Sequence, residues 1–141
     1  MAEGIFNDMV ERDAHLRDKV RGKSAGVFAL EGATASDGAI RAMEEMGIDI
    51  KAHRAQRLVP SMIREADIIF AMTRSHKDAI LSIVPSAAAK TYTLAEYGGK
   101  FDKTLRGMDI EDPYGQPLDI YRKSAQDIKK ILEIIVEHID I

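Results

Sequence analysis

The chain has 141 residues, 45% of them hydrophobic and 30% charged, with a net charge of −3 and no cysteine. This is the composition of a globular domain long enough to bury a core, not of a disordered segment. Lys and Arg are scattered among Asp and Glu, no apolar run reaches membrane-span length and no charged-then-apolar leader is present, so one cytoplasmic domain over residues 1–141 is expected, with neither nucleic acid nor membrane as partner.

The lack of thiols also excludes disulfides, thiolate metal sites and thiol nucleophiles from the chain as written. In chain order, Met1 to Val10 reads as an amphipathic helix, with Ala2, Ile5, Phe6, Met9 and Val10 on one stripe. No Ser, Thr, Asp or Asn caps it, and a bare helix N-terminus at Met1 and Ala2 presents free N–H groups to an anion. The Lys19 to Phe28 segment reads as a short strand and a small-residue turn. Ser36 is a plausible N-cap for a helix carrying Ala39, Ile40, Met43 and Met46 on one face, ended at Gly47. Pro60 to Ala66 is a short helix that runs into Asp67 to Met72, an apolar run suited to a strand buried on both faces of a parallel sheet.

Thr73 can cap a helix through Ile83, stopped by Pro85, and Thr91 to Leu94 gives another short strand. Gly98 to Pro117 lacks periodicity and carries Asp102, Asp109, Glu111 and Asp112. From Asp119 onward, Tyr121, Ala125, Ile128, Leu132, Ile135, Val136 and Ile139 mark a long amphipathic helix. The alternation of helix and strand argues an α/β domain with a mostly parallel sheet.

Ligands of such sheets sit beyond the carboxyl ends of the strands. Three loops qualify: Ser24 to Val27, Met72 to His76, and the acidic loop with Asp112-Pro113. An Asp before Pro is held out of the helical region on a stiff backbone, which suits a positioned proton donor; the same dipeptide also simply starts turns. No His, Asp and Glu set has metal-ligand spacing, so neither metal nor cofactor is expected.

Five pieces carry a resemblance in order: Met1-Ala2-Glu3-Gly4-Ile5-Phe6; Ser24-Ala25-Gly26; Ile48-Asp49 with His53-Arg54-Ala55; Ala66-Asp67-Ile68-Ile69 leading to Met72-Thr73-Arg74-Ser75-His76-Lys77; and Asp109-Ile110-Glu111-Asp112-Pro113-Tyr114-Gly115. Over essentially its whole length the chain resembles the low-molecular-weight protein tyrosine phosphatase family. The resemblance implies a flavodoxin-like or Rossmann-like three-layer sandwich with a parallel sheet. It also implies phosphomonoester hydrolysis through a phosphocysteine intermediate, on a phosphorylated protein or small aryl phosphate, by a monomer or weak dimer.

Asp112 matches the family's general acid, which protonates the leaving oxygen and then acts as base toward water. Ser24 and His53 match supports of the phosphate loop, though an exposed helix-start histidine is an equal account of His53. Leu30 and Tyr114 match the rim of the substrate pocket, or pack in the ordinary way. The family's Cys-x5-Arg-Ser-Pro loop would directly precede Met1. With its strand, roughly a dozen residues in all, it has no counterpart here, so the first strand of the sheet is expected to be missing and the chain to be inactive as written. A start set at an internal Met, a trimmed or disordered N-terminus and a natural non-catalytic relative that binds a phosphorylated partner all remain open. So does the substrate, since the Ser24 to Ala29 run is similar to the protein arginine phosphatases of the family.

Overall fold

Caps and apolar periodicity place most of the helices. The computed structural model describes residues 1–141. Helix α1 (Ala2–Glu11) follows its apolar stripe, buries Ile5 and Val10, and starts without a side-chain cap. In α2 (Asp37–Glu45) the Ser36 hydroxyl accepts the Ala39 N–H at 3.4 Å and donates to the Tyr121 hydroxyl at 3.0 Å, so one cap also ties the helix to the C-terminal part of the chain. Gly47 leaves this helix at φ +76°, a left-handed turn that favours glycine. Helix α3 (Pro60–Glu65) opens on proline, and Lys90 Nζ donates to the carbonyls of Arg64 and Ala66 at its far end.

Strands β1 (Ile69–Ala71) and β2 (Thr91–Thr93) form a parallel pair in the register Ile69↔Thr91, Phe70↔Tyr92 and Ala71↔Thr93. Between them come α4 (Arg74–Ile83), capped by Thr73 as expected, and a 3₁₀ turn from Pro85 to Lys90. Helix α5 (Leu94–Gly98) follows β2, a second 3₁₀ turn spans Lys103–Leu105, and α6 (Leu118–Glu137) closes the fold.

Side chains of β1 alternate between two cores, as a strand's two faces require. Ile69 and Ala71 join Ile63, Ile80, Val84 and Ala87 beneath α3 and α4. Phe70 and Met72 face the larger core of Ile5, Met43, Leu94, Leu105, Ile131 and Ile135, where α1, α2, α5 and α6 meet. Helices thus cover both faces of the parallel pair, an α/β arrangement.

Three sequence expectations change. Lys19 to Phe28 forms no strand; Gly26 makes a single parallel bridge with Arg57, and side chains of α1 take up the backbone upstream of it. The Asp67 to Met72 run yields only three strand residues: both faces of β1 carry core side chains, but one edge has no hydrogen-bonded neighbour, so Ile69 and Phe70 are half-buried and Ile68 stays 40% exposed. The Gly98 to Pro117 region is partly ordered: Asp102 caps the 3₁₀ turn Lys103–Leu105, its Oδ1 accepting the Thr104 N–H at 2.9 Å. Just before it, α5 is capped by Thr93, whose hydroxyl accepts the Glu96 N–H at 3.0 Å, and five residues are too few to show a helical period. Ile139 lies beyond the end of α6.

Gly38 in α2 packs against the face of Tyr121, where an added Cβ would lie 2.4 Å from the ring. Gly38→Ala would gain about 1 kcal/mol in helix propensity. The buried ring must shift to admit the methyl group, at a cost of about 1–3 kcal/mol. The urea midpoint of unfolding is expected to fall, and a raised midpoint would mean that Tyr121 yields freely.

Candidate active site

The first turn of α1 organises one half of the site. Glu3 Oε1 accepts the Ser24 N–H at 2.8 Å and the Ser24 hydroxyl at 3.3 Å, while Oε2 meets His53 Nδ1 at 3.0 Å. One turn later the Asn7 carboxamide binds both sides of a peptide unit, donating to the Gly22 carbonyl at 2.9 Å and accepting the Gly22 N–H at 2.8 Å. The spacings match: four helical residues rise about 6 Å, and two extended residues span about 6.6 Å. Glu3 and Asn7, on one face of α1, therefore reach Ser24 and Gly22 on a segment running antiparallel to the helix. Gly22 permits the approach, since a Cβ there would lie 2.6 Å from the Phe6 ring.

The same segment is tied to residues 53–58. Gln56 Nε2 donates to the Ser24 carbonyl at 3.0 Å, and Gly26 exchanges backbone hydrogen bonds with Gln56 and Leu58 at 3.0 Å each. Ser24 and His53, far apart in sequence, thus share one carboxylate. An anion in the first helical turn is favoured by the helix dipole. Met1 and Ala2 are half-buried beside it, and burial lowers the pKa of the Met1 amino group while the charge of Glu3 opposes that shift.

The acidic loop is the other half. Its Ile110 N–H donates to the Met72 carbonyl at 3.0 Å, just past the carboxyl end of β1, and Asp109 Oδ1 accepts the Arg74 N–H at the start of α4 at 3.3 Å. The Ser124 hydroxyl of α6 reaches the Glu111 carbonyl at 3.5 Å. Beyond these anchors Pro113 is buried, and Asp112 is exposed with Oδ1 accepting the Tyr114 N–H at 3.1 Å. This Asx turn fixes the carboxyl group and leaves its second oxygen without a protein hydrogen bond.

Beside the loop, Lys77 Nζ lies 2.9 Å from Glu96 Oε2, with Arg74 3.9 Å from Oε1. Burial alone would raise the Glu96 pKa, but Lys77, the Thr93 contact and Arg74 together hold it below its ordinary value.

Ser24 and His53 are therefore brought together, while Asp112 makes no hydrogen bond with either; its loop is held at the carboxyl end of β1 instead. Leu30 and Tyr114 are 78% and 76% exposed, the exposure of a rim and not of a packed core. Glu3, Asn7 and Asp109 went unread in the sequence. An acid in a first helical turn has a sufficient explanation in the dipole, and an Asp that serves a neighbouring element's N–H leaves no local pattern. A cavity of about 290 Å³ lies elsewhere, between α1, α6 and the end of α2, and includes Met9, Met46 and Ile48 among its lining residues. No three His, Asp or Glu side chains gather as metal ligands, and no helix is long and apolar enough to cross a membrane.

The family model described as "Low molecular weight phosphotyrosine protein phosphatase" matches residues 1–140. The chain belongs to this family. It is 38% identical over 115 residues to the protein-arginine-phosphatase of Geobacillus stearothermophilus, covering 82% of this chain and 74% of the relative. Identity to the protein-arginine-phosphatase of Bacillus subtilis (strain 168) is 32% over 139 residues, covering 99% and 87%. The crystal structure of the low molecular weight protein tyrosine phosphatase from T. tengcongensis superposes with a TM-score of 0.86 at 39% identity, over 98% of this chain and 88% of that one. As in such phosphatases, the architecture is α/β with a parallel sheet, which fits the flavodoxin-like expectation.

Two tests follow from this phosphatase scaffold. Glu3→Ala leaves the Ser24 N–H and His53 without their acceptor, which should cost about 1–3 kcal/mol by urea denaturation and speed hydrogen exchange at the Ser24 amide. Unchanged stability and protection would remove Glu3 as the brace. Because the folded pKa of Glu96 lies below its ordinary 4.5, the stability it contributes is complete above that value and is lost as pH falls through the lower, folded value. Glu96→Gln should flatten this acid limb in thermal melts; an unaltered acid limb would assign it to other carboxylates.

Proposed function

We propose that the chain provides the proton-transfer loop and scaffold for hydrolysis of phosphoryl groups on proteins, with Asp112 as general acid and base. The observation that carries this reading is the anchoring of the Asp109 to Tyr114 loop at the carboxyl end of β1, with Asp112 held in an Asx turn yet exposed. Protonated Asp112 would donate to the departing phenolate oxygen, and the resulting carboxylate would then take a proton from the water that attacks the phosphoenzyme. Phenols have a pKa near 10, so a positioned acid aids their departure.

The nucleophile of the family's reaction is a cysteine, and none occurs among the 141 residues. The chain by itself is accordingly expected not to turn over a phosphorylated substrate. The Glu3, Ser24 and His53 cluster would brace a phosphate loop placed at the start of α1, where Met1 and Ala2 present the helix N-terminus, and Leu30 and Tyr114 would line the rim.

Phosphotyrosine is the first substrate to test. Phosphoarginine is the second, favoured by the two relatives named protein-arginine-phosphatases. There Asp112 would protonate the guanidinium nitrogen as the P–N bond breaks.

The chain alone should give no measurable hydrolysis of an aryl phosphate. Joined at Met1 to the family's first strand and Cys-x5-Arg-Ser-Pro loop, it should hydrolyse that substrate, and Asp112→Ala should then lower kcat by about 10²- to 10⁴-fold. Full activity in the Asp112→Ala variant would overturn the general-acid role, and turnover by the cysteine-free chain would overturn the need for a thiolate.

A further inference from the structure

The charges of this acidic protein are unevenly placed. Residues 17–23 and 51–57 together hold seven of the twenty Lys and Arg residues and one of the twenty-three Asp and Glu residues. Along the sequence the two stretches are remote and neither is a basic run. The fold joins them: the Ser24 carbonyl takes the Gln56 side chain, Gly26 pairs with Gln56 and Leu58, and Ser24 and His53 share Glu3.

Of their seven cations only Lys51 is ion-paired, with Glu44 at 3.5 Å. Arg21, Lys23 and Arg57 are exposed and lie outside every ion pair of the structure. Arg54 directs its guanidinium to the carbonyls of Lys51 and His53 at 2.9 Å each, which fixes the group without cancelling its charge. Glu31, the one acid in the adjoining loop, is engaged with the Arg57 backbone N–H. Elsewhere about half of the cations are ion-paired: Arg12, Arg74, Lys77, Arg122, Lys123 and Lys129 sit on carboxylates.

Between the two basic stretches the chain raises an apolar tip. Gly26 to Ala29 is a tight turn, closed by the Ala29 N–H on the Gly26 carbonyl at 3.4 Å and pinned by the backbone bonds of Gly26 to Gln56 and Leu58. Phe28 at its apex is 95% exposed and Leu30 just after it 78%. A lone exposed apolar residue needs no explanation, but an exposed aromatic on a turn that joins two cation-rich stretches has the make-up of an interface anchor.

We propose that this face docks an acidic stretch of polypeptide bearing apolar side chains, next to the phosphorylated residue of the protein partner. Complementary charge supplies steering and selection, and Phe28 with Leu30 supplies apolar contact. A single-stranded nucleic acid is less well matched, because such sites interleave several aromatic side chains with their cations and this face offers one. The proposal deepens the phosphatase reading and rests on it only for the phosphoryl group.

The test uses the 141-residue chain and fluorescence anisotropy with a labelled Glu-rich peptide carrying one Tyr and flanking Leu residues. Binding is expected, weakening steeply with added salt. Arg21→Glu with Lys23→Glu should weaken it by about tenfold or more, and Phe28→Ala by several-fold without changing the salt dependence. Arg57→Glu, on the other stretch, serves as the second charge reversal if the double variant fails to fold by circular dichroism. Failure of the Glu-rich peptide to bind, equal binding of a Lys-rich peptide, indifference to both charge reversals, or tighter binding of a single-stranded oligonucleotide or of phosphatidylserine vesicles would each overturn the proposal. Repeating the titration with the Tyr phosphorylated separates the two readings. Binding that the charge reversals weaken but phosphorylation leaves unchanged would sustain the docking surface while removing support from the phosphatase site, and binding that needs the phosphate and is indifferent to the charge reversals would do the reverse.

Discussion

Glu3 lies where a helix dipole welcomes negative charge, and its two oxygens are divided between segments that are 21 and 50 residues away along the chain. Through Ser24 it fixes the loop that rises to Phe28, and through His53 it fixes the stretch that leads into α3. Those two segments then bond to each other through Gln56, Gly26 and Leu58. If the carboxylate were removed, the helix N-terminus, the basic face and the exposed Leu30 would lose their common reference point. The acidic loop has its own anchors on Met72, Arg74 and Ser124, so the two halves of the site are held independently and meet only through the shared core around Ile5 and Ile110.

Under the proposed function, that division of labour would serve a two-step phosphoryl transfer. One half must hold charge and geometry still while phosphate is bound, and the other must present a carboxyl group that changes protonation state twice. Rigid bonding among half-buried groups at Glu3 answers the first need. In the proposed role Asp112, exposed beyond a buried Pro113, would answer the second. Membership of the low molecular weight phosphotyrosine protein phosphatase family gives this arrangement its context.

Helices with a capping residue and an apolar face were legible in the sequence: Ser36 announces α2, Thr73 announces α4, and the stripe from Tyr121 to Ile135 announces α6. What escaped was structure made by side chains from distant segments. Lys19 to Phe28 has a strand's composition, but its backbone is satisfied by Glu3 and Asn7, so no ladder forms there. Gly22 reads locally as a weak strand residue, and its reason is the Phe6 ring. Ser24, His53 and Asp112 became candidates through motif order, because nothing in a lone Ser, His or Asp-Pro separates them from ordinary turn residues. The basic face was invisible in the same way, being assembled from two stretches that look unremarkable until Gln56 and Gly26 join them.

The pairing of Glu3 and Asn7 with Ser24 and Gly22 also makes a mechanical connection. A helix side chain at four-residue spacing engages an extended backbone at two-residue spacing, like a pinion on a rack. Rotation of α1 about its axis would lift both contacts at once, whereas a slide along the axis would carry the Gly22 to Ser24 segment with it and, through the Gly26 turn, the Phe28 tip. Position at the start of α1 and position of the exposed aromatic are therefore linked, and because the opposite face of α1 packs Ile5 into the core, that core holds both in place.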